Sequence, residues 1–206
     1  MNRSVRLIVA ILTACAAVIF AYTLYRSTVA APASDELSVP DEMIAVSTTA
    51  PVVSSAGKPE TPTHISIPAI GVEAGVVDVG LGKSGNMAVP YTYTDAGWYR
   101  YGTLPGAVGS AVLDGHVDNG LGGGAVFARL GELKAGDDLY IESKEGQRLH
   151  FVVEEVASYA VADVPLQKLF TRDDKPRLNL ITCEGAWIAE QKMYDRRLVV
   201  YATLAQ

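Results

Sequence analysis

A thiol, an imidazole and a guanidinium stand at the ends of three apolar runs in this chain. Cys183 closes the run RLNLITC and is followed by Glu-Gly-Ala-Trp. On a strand Leu178, Leu180 and Thr182 face one way and Asn179, Ile181 and Cys183 the other. Cys183 is therefore expected where a strand ends, fixed by a sheet on one side and open to a ligand on the other. Cysteine is also among the most buried residue types, so core filler stands beside nucleophile as a reading. His116 closes SAVLDGH and is followed by VDNGLGGGAVF, whose glycines leave backbone that a peptide can approach. The plainer alternative is a surface histidine ahead of a flexible loop. The last run, RRLVVYATL, opens with Arg196 and Arg197, which must face opposite sides of a sheet. One suits a surface ion pair with Asp195 or Glu184. The other could stabilise a thiolate and the oxyanion of a tetrahedral intermediate.

The elements that must position these residues are short β-type runs broken by Gly, Pro or polar turns. They fall at residues 64–67, 75–79, 87–89, 97–101, 110–116, 138–142, 148–160, 177–183 and 197–204. This spacing predicts an all-β fold, a closed or nearly closed β-barrel of about eight strands with short helices in the connections. Residues 125–133 (AVFARLGEL) have the apolar spacing of one or two helical turns. Residues 164–170 (VPLQKLF) suit another, with Asp163 as N-cap and Pro165 in the first turn. His150 alternates with apolar neighbours on a long strand and His64 sits at the domain edge, so both read as structural or exposed.

The 206 residues leave room for one core plus appendages, and the net charge of −6 speaks against a nucleic-acid partner, which requires a basic field. Residues 7–24 are uncharged and apolar, giving roughly 27 Å of helix, close to the hydrocarbon thickness of a bilayer. Arg3 and Arg6 precede the run, while Asp35, Glu36, Asp41 and Glu42 follow it. Residues 1–26 therefore read as a cytoplasmic tip and transmembrane signal anchor, with the remainder outside the cell membrane. Cleavage near Ala31, or lipidation of Cys15, are the rival readings. Residues 27–62, rich in Pro, Ser and Thr without period, read as an extracellular linker, and residues 63–206 as the folded domain. With Cys15 in the membrane, the exported part holds Cys183 alone and forms no internal disulfide.

His116, Cys183 and Arg197, in that order on three strand ends behind an anchor, resemble the sortases. LNLITC matches the family's L-x-T-C strand, VLDGHV its strand ending in Gly-His, and RLVVYAT its final Arg-bearing strand. THISIPAIGVEAGVVDVGLGKSGNMAVP, GWYRYGTLPGAVGSAVLDGHVD and the short turn after Cys183 look most like the class F, actinobacterial type. The resemblance spans residues 63–204.

It implies a cysteine transpeptidase acting on surface proteins with a C-terminal sorting signal of the Leu-Pro-x-Thr-Gly kind. Cys183 would form a thioacyl intermediate, His116 would protonate the leaving amine, and Arg197 would donate to the carbonyl oxygen. An amine on a peptidoglycan precursor or pilin would take the acyl group. Asp114 and Thr182, on the same strands, are the candidates for contacting substrate. Asp114 departs from the small residue more usual there; close to the imidazole it would favour imidazolium, or the strand could twist it into solvent. Arg196 takes the place of Arg197 if the register slips by one. The chemistry needs no cofactor or metal, although Asp114, Asp118, Glu154 and Glu155 leave a structural calcium open. Papain-like hydrolases place Cys before His, and other wall transpeptidases keep the two within a few residues, unlike this chain. A non-catalytic wall-anchored β-domain with Cys183 in its core is the remaining reading.

Overall fold

The computed structural model describes residues 59–83 and 85–205. The anchor reading and nearly all of the linker reading lie outside the described residues, among which no helix is long and apolar enough to cross a membrane. The described chain forms eight strands: β1 (Pro62–Ile67), β2 (Val72–Val79), β3 (Ala96–Tyr99), β4 (Gly109–Asp114), β5 (Asp138–Ser143), β6 (Arg148–Ala160), β7 (Pro176–Ile188) and β8 (Met193–Leu204). They close into a barrel in the order β1-β2-β3-β4-β7-β8-β6-β5, with β1 pairing β5 to complete the ring. Closure removes the exposed edges that an open sheet of this size would present. The expected all-β barrel of about eight strands is therefore the observed one.

Two layers of packing follow from the alternation of side chains. Ile65, Leu113, Phe151, Leu178, Leu180 and Val200 fill the barrel interior. On the opposite face, Val112, Ile181, Val199 and Tyr201 pack under the short helix α1 (Leu166–Phe170), which contributes Leu169 and Phe170. The central strands β4 and β7 are thus covered on both sides, and β4 is buried along its whole length. That explains why GSAVLD reads as a continuous apolar run: its partner β7 is parallel, and parallel pairs lie in covered parts of sheets. Truncating a fully buried residue such as Leu180 to Ala should cost about 2–5 kcal/mol.

Four expectations need correction. β7 does not end at Cys183; it runs on to Ile188 through an irregularity between Glu184 and Trp187. Gly185, at φ 87°, permits this β-bulge, and in the sequence the same glycine has the signature of a turn. Residues 87–89 form no strand, only a bridge between Leu81 and Met87. Helical geometry within residues 125–133 is confined to a 3-10 turn at Leu130–Glu132. Asp163 does not cap α1: it ends a separate 3-10 turn, and Pro165, which has no side-chain acceptor, occupies the N-cap.

Candidate active site

Strand register brings the three candidate residues together. In the β7–β8 pair Cys183 lies directly opposite Arg197, and directly opposed residues project from the same face of a sheet. In the parallel β4–β7 pair Asp114 lies opposite Ile181, so the chain leaving β4 reaches His116 beside the same part of β7. Two hydrogen bonds fasten this junction: Gly115 N–H donates to the Ile181 carbonyl at 3.2 Å, and the Thr182 hydroxyl donates to the Gly115 carbonyl at 2.7 Å. One shallow hollow is lined by Asp114, His116, Thr182, Cys183 and Arg197 together with the apolar Met87, Val89 and Ile181. Thr182, expected among the substrate contacts, is buried and spends its hydroxyl on holding the β4 exit to β7.

His116 is half-buried and held from two directions. Its Nε2 lies 3.0 Å from the Pro90 carbonyl oxygen, and its ring meets Tyr93 edge-on at 5.1 Å between centroids. A carbonyl only accepts, so Nε2 carries a hydrogen and donates, and Nδ1 is the ring nitrogen that Pro90 does not engage. Neither Pro90 nor Tyr93 stands out in the sequence. The Pro-Tyr-Thr-Tyr stretch carries no periodic signal, and only the fold lays it over His116.

Asp114 does not twist into solvent. It is 7% exposed, and its carboxylate sits in a niche that Gly97 of β3 leaves open. A Cβ on Gly97 would stand 2.5 Å from Asp114 Oδ1 and 2.9 Å from Val79 Cγ1. The two arginines are separated as the strand period requires. Arg197 is 1% exposed and donates through Nη1 to the carbonyls of Arg196 at 2.8 Å and Tyr194 at 3.1 Å. Arg196 points outward to Ser158 and lies 3.9 Å from Glu184, one of the two surface partners expected for it.

Asp118 and Tyr194 join the site, although no sequence motif assigns them to it. The Tyr194 hydroxyl donates to Asp118 Oδ2, tying the hairpin after Cys183 to the loop after His116. That bond, burial and the nearby charges of Asp118 and Cys183 push the Tyr194 phenol up to about 12. Trp187, opposite Tyr194 in the hairpin, packs edge-on against its ring at 5.3 Å. The glycine-containing loop after His116 is braced by its own side chains. Asn119 accepts from the N–H groups of Leu121 and Gly123, and Asp118 accepts from Gly120, folding it upon itself. Cys183 is half-buried and not in a disulfide.

The remaining histidines and acids do surface work. His64 pairs with Glu73, and His150 pairs with Asp138 while stacking on Tyr140. The acids considered for calcium are dispersed: Glu154 pairs with Lys175 and Arg177, Glu155 with Lys168, and Asp118 accepts from Tyr194. Among the described residues no group of three or more His, Cys, Asp or Glu could hold a metal ion.

Comparison with known proteins gives a consistent result. The sortase-domain family model matches residues 65–205. No curated protein sequence matches the chain. Among solved structures, sortase A from Corynebacterium diphtheriae, as a lid mutant, is 23% identical over 73% of this chain and 73% of that chain, with a TM-score of 0.56. Sortase C-1 from Actinomyces oris is 24% identical over 70% and 71% respectively, with a TM-score of 0.53. Sortase A from Listeria monocytogenes is 19% identical over 71% and 88%, with a TM-score of 0.53. At these identities the structural likeness speaks to the fold alone.

Proposed function

The chain belongs to the sortase family of cysteine transpeptidases, which anchor or join surface proteins, and from that premise we propose that it cleaves a Leu-Pro-x-Thr-Gly-like sorting signal with Cys183 as nucleophile, His116 as acid and base, and Arg197 as oxyanion donor. The observation that carries the reading is the single hollow shared by these three side chains, with Arg197 across the ladder from Cys183.

The steps follow from the chemistry of the groups. The Cys183 thiolate attacks the carbonyl after the signal's Thr, and negative charge develops on the carbonyl oxygen. A buried guanidinium on the face that bears the sulfur stabilises both the thiolate and that oxyanion, and low exposure strengthens the interaction. Imidazolium at His116 gives its Nδ1 proton to the leaving amine as the C–N bond breaks. A thioacyl enzyme remains on Cys183. The same nitrogen then takes a proton from the incoming amine as it attacks, the new amide forms, and the thiolate leaves. Asp114 borders the substrate in this reading, and Thr182 fixes the junction between β4 and β7.

Sortase domains are typically extracellular and membrane-associated. We read residues 7–24 as the single-pass anchor, with the N-terminus cytoplasmic, and the motifs around GWYRYGTLPGAVGSAVLDGHVD as class F. The acceptor is an amine on a peptidoglycan precursor or a pilin. The test is incubation of the full-length chain with a labelled Leu-Pro-x-Thr-Gly peptide and a primary amine, followed by mass analysis. The expected product joins the amine to the signal's Thr, and its formation is lost in Cys183→Ala and His116→Ala. Product formation that survives Cys183→Ala refutes the assignment.

A further inference from the structure

A transpeptidase must bring two substrates to one sulfur, and Cys183 borders a second hollow as well as the first. This one opens beside Thr182 and Cys183 and is lined by Asp118, Glu184, Tyr194 and Leu198, among others. It begins at Val117 and Asp118, the residues directly after His116, and continues along the bulged part of β7 at Glu184 and Gly185. The two hollows differ in charge. The first holds His116 and Arg197 beside the one carboxylate of Asp114, whereas the second holds the carboxylates of Asp118 and Glu184 and no Lys, Arg or His.

We propose that the second hollow binds the protonated primary amine of the acyl acceptor, with Asp118 as its main anionic contact; the proposal rests on the transpeptidase reading above. The bound ammonium gives one proton to solvent before its nitrogen attacks; the amine that leaves and the neutral amine that enters then each exchange one proton with the same imidazole, so both must approach the carbonyl from one side. With the acyl portion lying over Arg197 in the first hollow, the remaining approach to the sulfur is the acidic one. Two hydrogen bonds hold the Asp118 carboxylate in place there, since Oδ1 accepts from Gly120 N–H at 2.6 Å and Oδ2 accepts from the Tyr194 hydroxyl. Each carboxylate oxygen retains a further lone pair for an ammonium donor. Glu184 is the weaker partner, because it already accepts from Ser158 and faces Arg196 at 3.9 Å. Tyr194, held protonated by its bond to Asp118, forms the uncharged wall.

The test separates binding of the amine from acylation. Full-length wild type, Asp118→Asn and Glu184→Gln are acylated with a Leu-Pro-x-Thr-Gly peptide, and the thioacyl enzyme is partitioned between water and either 1,3-diaminopropane, a cation, or hydroxylamine, neutral at the assay pH. The ratio of aminolysis to hydrolysis is independent of how fast each protein acylates. Asn at position 118 has one acceptor oxygen in place of two; turned toward Tyr194 it keeps the tie between hairpin and loop and gives up the bond from Gly120 N–H. Asp118→Asn is expected to lower the diaminopropane ratio about fivefold at low salt, and Glu184→Gln about twofold. Both effects should shrink at about 0.5 M salt while the hydroxylamine ratio holds. Unchanged diaminopropane ratios, or equal losses with hydroxylamine, overturn the proposal alone. A wild type that never acylates overturns it together with the function on which it rests.

Discussion

Replacing Arg197 and Arg196 one at a time tests whether the barrel puts two adjacent guanidiniums to opposite uses. Arg197 is 1% exposed and faces Cys183 across the ladder, whereas the Arg196 side chain is 43% exposed and 3.9 Å from Glu184. Loss of an oxyanion donor typically slows acyl transfer by about 10²–10³, or about 2.7–4 kcal/mol of transition-state stabilisation. Arg197→Ala is therefore expected to slow thioacyl formation by about that factor. It also removes the donors to the Tyr194 and Arg196 carbonyls, so the melting temperature should fall as well. Arg197→Lys keeps the charge but not the planar fork, and should recover part of the rate. Arg196→Ala removes an exposed pair worth about 0.2–1 kcal/mol and should change the rate by less than about threefold. The assay is single-turnover acylation followed by intact-protein mass, with thermal melts run in parallel. A larger loss in Arg196→Ala than in Arg197→Ala would show the reasoning about register to be wrong.

Other consequences can be checked separately. Gly97→Ala should drive a methyl group against Asp114 and Val79, cost about 1–3 kcal/mol, and reduce kcat/KM; a variant that melts and turns over like wild type contradicts the niche. Spectrophotometric titration should reveal a phenol ionising near pH 12 that Tyr194→Phe abolishes, whereas an unchanged curve would contradict the bond to Asp118. Arg177, 3% exposed, holds the Asp174 carboxyl far below the usual range, and Lys175 foremost, with Arg177 beside it, lowers Glu154. Because these folded-state values lie below the unfolded ones, the stabilisation is present above about pH 4 and is lost as pH falls through the depressed values. Asp174→Asn should lower the urea midpoint at neutral pH and flatten its decline in acid; an unaltered acid limb contradicts this.

Most of the barrel was legible because its strands are short, apolar and punctuated by glycine, proline and polar turns. A period of two forces Arg196 and Arg197 apart and leaves only one facing the sulfur; the choice of Arg197 rests on the resemblance of RLVVYAT to the family's final Arg-bearing strand, and the ladder places Arg197 opposite Cys183. What escaped was set by contacts distant in sequence. Gly185 has the local chemistry of a turn, and only the pairing of Trp187 with Tyr194 and Ile188 with Met193 carries β7 past Cys183. Whether Asp114 faces the imidazole or solvent stays open until β3 is laid beside β4, with Gly97 directly opposite it. Asp118 and Tyr194 are far apart along the chain, and no spacing rule joins them before the barrel closes. The apolar spacing of residues 125–133 suggested helix, yet Phe127 N–H bonds back to the His116 carbonyl and breaks the run into turns.

The most direct test of the central claim is to trap the acyl enzyme. The full-length chain, mixed with a Leu-Pro-x-Thr-Gly peptide without added amine and quenched in acid, should gain the mass of the fragment ending in Thr. Peptide mapping should place that mass on Cys183, and hydroxylamine should release it as the hydroxamate. An adduct on another residue, or peptide cleavage that persists in Cys183→Ala, would contradict the account.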